Sequence, residues 1–179
     1  MKYFTYFFIV CLYNVVGFAQ DSTTSVSALI VPSTTPIAVI QDVDLHFTSK
    51  GKFKSQLKAG TLLDFSHLLF PYYFFPKKVH LDLLDDNGKY NTVLADQAIF
   101  YKDTQFIELY GAVEIKLADG TVLKTDTLYW DQSLEWLYTD TSYQVFFKNG
   151  SSNKGVGFDA NQDFTKFTSR SNDAIGINL

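Results

Sequence analysis

The fold of this protein is decided by the stretch Tyr90–Asp140, which has the sequence YNTVLADQAIFYKDTQFIELYGAVEIKLADGTVLKTDTLYWDQSLEWLYTD. Within Val113–Leu117 three apolar residues alternate with one acidic and one basic residue, the period of a strand with one dry and one wet face. Ala118–Gly120 then turns the chain, and Thr121–Trp130 runs back through residues that favour strands. The stretch therefore predicts a meander of antiparallel strands.

A weak internal repeat lies on this meander. Leu94–Ala98 corresponds to Lys124–Leu128, which places Asp96 and Asp126 thirty positions apart. Repeats of 20 to 50 residues are typical of stacked supersecondary units, here a hairpin. The two copies share few identical residues, so a true repeat and a coincidence of β-patterning both fit the sequence. Equivalent repeat positions argue against an acid/base pair formed by the two aspartates.

The composition favours one packed, β-rich domain and excludes several functions. Aromatic residues make up 17% of the chain and hydrophobic residues 46%, which disordered chains lack. The net charge is −4 and no basic cluster exceeds Lys77-Lys78, so no nucleic-acid partner is expected. The single cysteine, Cys11, excludes an internal disulfide framework and a cysteine-based zinc site. The histidines lack metal-ligand spacing and no nucleophile signature occurs. We therefore expect no catalytic residue, no metal, no cofactor and no enzyme activity.

Residues 1–19, MKYFTYFFIVCLYNVVGFA, have the features of an addressing segment. As a hydrophobic helix they span ~25 Å, slightly less than the ~30 Å hydrocarbon core of a bilayer. A cleaved signal, a retained signal anchor and a lipoprotein signal through Cys11 are all compatible, and each sends the remaining chain across a membrane. Residues 20–39 form a tether rich in Ser, Thr and Pro, and residues 40–179 form the β-domain.

The segment Asp64–Lys78, DFSHLLFPYYFFPKK, is the least regular part of the domain. A proline cannot donate to a ladder, so the segment is expected to be an edge, a bulge or a loop that crosses the core. It is either a hydrophobic plug or a surface for an apolar ligand or partner. Further along, Phe164–Thr168 and Ala174–Leu179 are expected to supply the last strands. Gly111, Gly155 and Gly157 are predicted at bulges or close strand approaches.

The ordered motifs resemble the LptC family, the inner-membrane-attached periplasmic component of lipopolysaccharide export. The resemblance covers residues ~38–179 and is carried by Ile40–Phe47, Ala95–Ala98, Leu109–Val113, Lys124–Leu128 and Gly155–Asp159. The sequence departs from the family at Ala112, where Asn or His is common, and in its short membrane segment.

The resemblance implies a twisted, open antiparallel β-jelly roll with a hydrophobic trough, preceded by the N-terminal hydrophobic helix. It also implies the partners: lipopolysaccharide, the inner-membrane ABC transporter that supplies it, and a periplasmic LptA-like β-jelly-roll protein that receives it. The expected location is the periplasm, attached to the inner membrane by the N-terminal segment, or soluble there after cleavage. A different class, an exported carbohydrate-binding or adhesin-like β-jelly roll, would instead need an exposed aromatic platform and a packed interior.

Several strands are apolar on both faces, which agrees with such a trough. The residues expected to line it and bind lipid are Phe47, Leu57, Phe75, Leu81, Leu94, Ile115, Leu123 and Tyr129. The three glycines are expected to maintain the strand geometry that assembly with the partners requires.

Overall fold

The structure is a computed structural model that describes residues 35–49, 51–84, 88–162 and 164–172. The predicted N-terminal hydrophobic helix, residues 20–34 of the tether and the predicted strand Ala174–Leu179 lie outside these residues. The first strand begins at Ala38, two residues before the predicted start of the domain.

Ten antiparallel strands make up 73% of the described chain, and none of its described residues is helical. The strands are β1 (Ala38–Ser49), β2 (Lys52–Asp64), β3 (Tyr72–Leu84), β4 (Tyr90–Ala95), β5 (Gln97–Tyr101), β6 (Phe106–Lys116), β7 (Val122–Asp131), β8 (Trp136–Phe146), β9 (Ser152–Asn161) and β10 (Phe167–Asn172). They form one sheet in the order β1-β2-β3-β4-β6-β7-β8-β9-β10, with β5 paired to β3 and β6. The prediction of an all-β antiparallel fold is confirmed.

The last described strand differs from the prediction that placed it at Phe164–Thr168. It begins at Phe167, because Phe164 lies in the preceding turn with a φ of 55° and a buried ring. The backbone N–H of Phe164 donates to the carbonyl of Asn161 at 2.9 Å, which closes that turn.

A line of bulges crosses the sheet, and we call it the crease. Register shifts lie within Tyr110–Val113 between β6 and β7, Thr125–Tyr129 between β7 and β8, and Thr139–Ser142 between β8 and β9. On the other side, β4 and β5 are one strand interrupted at Asp96. Because bulges bend strands and increase their twist, the two halves of the sheet turn their apolar faces toward one interior.

Hydroxyl groups satisfy backbone atoms that the crease removes from the ladder. The carbonyl of Thr127 has no strand partner on β8 and accepts from the hydroxyls of Thr139 at 2.5 Å and Thr125 at 3.2 Å. The Thr125 hydroxyl also lies 2.9 Å from the carbonyl of Ser142, across the next shift. Since unpaired buried carbonyls are costly, this threonine cluster stabilises the bend.

The hairpins repeat at intervals of thirty residues. In Leu117–Thr121 the N–H of the first residue donates to the carbonyl of the last at 2.8 Å, and the N–H of Gly120 donates back to the first residue at 2.9 Å. Phe147–Ser151, thirty positions later, has the same two bonds, both at 2.9 Å. The same local geometry at the same spacing favours the repeat over a coincidence of patterning.

The outer face of the central strands is polar and holds ion pairs. Both oxygens of Glu114 are used: one lies 2.6 Å from the ammonium of Lys116 and the other 3.1 Å from that of Lys124. The hydrogen bonds from Lys116 and then Lys124 hold the pKa of Glu114 below its usual value. The inner face of the same strands is apolar, with Leu123 and Val145 almost fully buried.

A candidate lipid site in the apolar interior

An apolar cavity of about 60 Å³ lies between the two halves of the folded sheet. Strands on both sides of the crease contribute to its walls. Its lining residues are Leu45, Phe47, Leu57, Leu62, Tyr73, Phe75, Val79, Leu81, Val93, Ala98, Phe100, Ile107, Leu109 and Trp130. Such walls offer dispersion contacts and exclude water, so the cavity suits a hydrocarbon group.

The cavity is too small to hold an acyl chain as it stands. An engineered apolar cavity of ~150 Å³ binds benzene, whereas this one measures about 60 Å³. An acyl chain would therefore fit only if the two halves moved apart. Strands β1 and β10 end the strand order of the described sheet and do not pair with each other there. Separation of the halves thus breaks no ladder between these two strands, unlike the expansion of a closed barrel.

Six of the predicted trough residues face this interior. Phe47, Leu57, Phe75 and Leu81 line the cavity itself. Ile115 and Leu123 lie in the same apolar core, 4% and 1% exposed, but do not reach the cavity. Their cross-strand pairing with each other leaves them among packed side chains. The binding of lipid by these residues stays a prediction.

The structure places Leu94 and Tyr129 on the opposite, outer face. On β4 the buried residues are Val93 and Ala95, so Leu94 points away from the interior. On β7 the bulge after Thr125 inverts the alternation. Leu128 and Trp130 are therefore buried, and Tyr129 points outward.

Phe100, Ile107 and Trp130 line the cavity and were not predicted there. Within β5 and within the first half of β6, the alternation correctly shows which residues share a face. It does not show whether this is the same face as that of the residues beyond the crease, because each bulge reverses the inward position. Only the location of the bulges, which depends on neighbouring strands, assigns these side chains to the interior.

A cation lies beside the cavity wall. The ammonium of Lys102 is 5.0 Å from the centre of the ring of Tyr73, whose side chain lines the cavity. A cation over a ring face is attracted by the ring quadrupole. Lys102 belongs to the turn between β5 and β6, so this charge is placed where a strand pair ends. The combination offers apolar contact along the walls and a positive group near them.

Gly111 packs against the aspartate that interrupts the neighbouring strand. The N–H of Asp96 donates to the carbonyls of Tyr110 at 3.1 Å and Gly111 at 2.9 Å. A Cβ added at Gly111, which has a φ of +72°, would lie 2.6 Å from a carboxylate oxygen of Asp96. The sequence motifs Ala95–Ala98 and Leu109–Val113, which contain these two residues, therefore meet at the crease.

Gly155 and Gly157 permit the close approach of β10. A Cβ at Gly155 would lie 2.0 Å from the carbonyl oxygen of Ser171, a distance that no side chain tolerates. Gly157, with a φ of +72°, leaves room for the side chain of Arg170. The guanidinium of Arg170 then bonds to both oxygens of Asp159, at 2.9 and 3.2 Å. The role of the glycines in assembly stays a prediction.

A row of aromatic rings crosses the outer face of the half of the sheet that contains β5, across the crease from the Glu114 ion pairs. Neighbouring rings in the row are in contact, and it consists of Phe65, Tyr72, Tyr101, Phe106, Tyr129 and Tyr138. Tyr129 and Tyr138 are stacked with centroids 5.0 Å apart and planes 26° apart. The planes of neighbouring rings are 19–49° apart, so the row does not form one flat platform for a sugar. This arrangement gives the carbohydrate-binding alternative no support.

A glutamate is set into this aromatic row. The hydroxyl of Tyr110 donates to the carboxylate of Glu108, which lies on the same face two residues away. Burial, and then this hydrogen bond, raise the pKa of Tyr110 well above its usual value.

In the part of the chain that the structure describes, no three His, Cys, Asp or Glu side chains are placed to hold a metal ion. Nor does any helix in that part have the length and apolar character to cross a membrane.

The open sheet, its crease and the apolar interior define an open β-jelly-roll protein with an internal hydrophobic site. A family model described as "Lipopolysaccharide-assembly, LptC-related" matches residues 5–168. The match covers most of the 179 residues, so the chain belongs to the LptC family and has a role in lipopolysaccharide transport. The family consists of transport proteins rather than enzymes, and its members are periplasmic and associated with the inner membrane. No curated protein matches the chain.

Proposed function

We propose that the domain receives the acyl chains of lipopolysaccharide from the inner-membrane ABC transporter and passes them to the next β-jelly-roll protein of the bridge. The observation that carries the proposal is the apolar cavity between two halves of a sheet that is not closed. Each Å² of acyl surface kept from water contributes ~25 cal/mol, so the interior can replace the apolar environment of the bilayer. The protein itself is not a catalyst in this scheme.

The small resting volume of the cavity suits transfer rather than storage. Opening the interior separates side chains that pack against each other in the empty protein, and this cost reduces the net affinity for the lipid. A site with a large permanent cavity would hold its ligand more tightly. Moderate affinity lets the chain leave for the next protein, while the direction of movement comes from ATP hydrolysis in the transporter.

Lys102 supplies a contact for the anionic part of the same molecule. With its ammonium 5.0 Å from the ring of a cavity-lining tyrosine, it lies within reach of a phosphate whose acyl chain occupies the interior. A charge-assisted bond of this kind is stronger than a neutral one. The domain would therefore prefer an anionic amphiphile to an uncharged lipid with the same chain.

The two edge strands provide the surfaces for transfer between proteins. On β1 and on β10 one row of backbone groups has no ladder partner in the described sheet. Another jelly roll that added its edge strand would extend the sheet by backbone hydrogen bonds. The apolar interiors of the two proteins would then be continuous, and the acyl chain would not cross water.

Photo-crosslinking in cells tests the proposal. A benzophenone amino acid in place of Phe100 lies in the cavity wall, whereas the same group in place of Tyr129 lies on the outer face and serves as the matched control. We expect lipopolysaccharide adducts at position 100 that depend on ATP hydrolysis by the transporter, and none at position 129. Equal adducts at both positions, or none at position 100, would contradict an interior route.

A further inference from the structure

The end of the sheet at which β1 begins differs from the opposite end. The turns at this end are held side by side by backbone hydrogen bonds: Lys102 to Pro71 at 3.1 Å, Gln132 to Gln105 at 3.3 Å and Gln162 to Glu135 at 2.9 Å. Ile37, just before β1, bonds to Asp64 at 2.8 Å and joins the same group. We call this group, the described residues of 35–40, 65–71, 102–105, 132–135 and 162–166, the tether end.

The tether end carries most of the exposed large apolar side chains of the described residues. Of the nine such side chains, six lie here: Ile37, Val39, Ile40, Leu69, Phe70 and Leu134. The most exposed are Leu69 at 87%, Phe70 at 76% and Leu134 at 72%, all on loops between strands. Single exposed apolar residues need no explanation, but a group at one end marks a contact surface. From the sequence, Asp64–Lys78 was expected to be either a hydrophobic plug or a contact surface. In the structure its residues differ, because Tyr73 and Phe75 are buried whereas Leu69 and Phe70 are exposed.

We propose that Leu69, Phe70 and Leu134 insert into the surface of the phospholipid bilayer to which the N-terminal segment attaches the protein. The inference rests on the proposed function and on attachment of the N-terminal segment to the inner membrane, which the family resemblance implies. Residues 20–37 lie between the hydrophobic segment and β1 and can span at most ~60 Å when fully extended. The loops are therefore held near the bilayer at an effective concentration of about millimolar. A weak apolar contact is sufficient under these conditions.

The shape and charge of the tether end favour a bilayer over a protein partner. A neighbouring jelly roll would pair with an edge strand, whereas Leu69, Phe70 and Leu134 are on loops that offer no row of backbone groups. Leucine and phenylalanine are the residues by which interfacial segments enter the headgroup region. Lys102 is followed by Asp103, and no basic cluster occurs among the described residues of this end, so the insertion should not require anionic lipids. Docking would hold the end of the sheet that bears Lys102 and Tyr73 against the membrane from which lipid is extracted.

A site-specific fluorescence experiment on the full-length protein tests the insertion. The environment-sensitive amino acid Anap replaces Phe70 in one protein and Lys148 in another, and each is reconstituted into phosphatidylcholine vesicles with a doxyl quencher near the headgroups. Lys148 lies in the turn after β8, at the opposite end of the strands from Phe70. We expect quenching and a blue shift at position 70 and neither at position 148, with or without phosphatidylglycerol.

A second pair of variants tests whether the loops act together. With Anap in place of Leu134, the double substitution L69S/F70S should reduce the quenching at position 134. The matched double substitution F146S/V156S removes two exposed apolar side chains elsewhere on the sheet and should leave that quenching unchanged.

The outcomes separate this inference from the proposed function. If the protein co-floats with the vesicles while position 70 remains in water, the insertion is refuted and lipid transport is untouched. If position 70 becomes shielded only when the transporter is present, the surface binds a protein and the inference is wrong. A chain that does not associate with vesicles refutes both the attachment and the insertion. Shielding at position 70 with no crosslinking in the cavity refutes the proposed lipid route alone.

Discussion

Replacing Ala98 with leucine distinguishes open space from packed core at the proposed lipid site. Ala98 is 4% exposed and lies in the cavity wall, where the larger side chain has room to enter. Cavities destabilise by ~24 cal/mol per Å³. Filling all of the 60 Å³ would thus raise the free energy of unfolding by at most about 1.4 kcal/mol. For a chain of this size the midpoint of thermal unfolding should therefore rise, by at most about 3–5 °C.

The control is the same substitution at Ala160. This residue is fully buried in the apolar core and does not line the cavity. The three added carbon atoms have no space there, so overpacking should lower the free energy of unfolding by about 1–3 kcal/mol. The two proteins carry identical chemical changes, and the opposite signs of their effects report the local packing.

Two assays complete the test: thermal unfolding followed by circular dichroism, and binding of a fluorescent lipid A analogue to the detergent-free protein. We expect Ala98→Leu to be more stable and to bind the analogue more weakly, since the new side chain occupies the space that the chain enters. If Ala98→Leu is destabilised as strongly as Ala160→Leu, the cavity is not available space. If it is more stable and binds the analogue normally, the lipid lies elsewhere.

Four further predictions concern single positions. Gly155→Ala should cost about 1–3 kcal/mol and increase hydrogen exchange in β10, because the new Cβ meets a backbone oxygen at 2.0 Å; Gly60→Ala, with its nearest neighbour at 3.1 Å, is the control and should cost much less. Ala112→Asn should raise the thermal midpoint slightly, with a gain of about 0.5 kcal/mol, because Asn tolerates the φ of 44° better than Ala; a lower midpoint would contradict this account. Ile115→Asp should cost several kcal/mol and abolish folding, because it buries an unpaired carboxylate, and soluble protein with a normal circular dichroism spectrum would show that the site is wetter than described. Glu114→Gln should lower the free energy of unfolding by up to about 1 kcal/mol at pH 7. The lowered pKa of Glu114 means that this contribution is present above the usual carboxyl pKa and is lost as the pH falls through the folded value, so urea unfolding of the two proteins should differ at pH 7 and converge near pH 3.

The family motifs acquire a physical meaning in the structure. Asp96 and Gly111 are separated in sequence but form one contact across neighbouring strands at the crease. Ala112, where the family resemblance leads us to expect Asn or His, has a positive φ of 44°. Asn and His are among the residues that most often adopt such a conformation. A preference for Asn or His at this position would follow from the backbone of the bulge.

The sequence by itself determined the class of secondary structure, the antiparallel arrangement of the strands and the family. These depend on local features, namely the alternation of apolar and polar residues, the turns such as Ala118–Gly120, and the spacing of short motifs. It also located the interior positions Leu57 and Leu81, but it placed Leu94 on the wrong face of β4, although that strand has no register shift. A side-chain period of two is a property of the strand alone, so one chain is enough to detect it.

Only the tertiary structure decided which residues face the interior beyond each bulge. The shift within Thr125–Tyr129 reverses the inward position along β7, which moved Tyr129 to the outer face and Trp130 to the cavity. The break at Asp96 does the same between β4 and β5, where inward positions change from Val93 to Ala98. A bulge is a mismatch in length between paired strands, so it is defined by two segments together and has no fixed signature in either one. The size of the cavity has the same origin, because it is the space that remains when both halves of the sheet have packed.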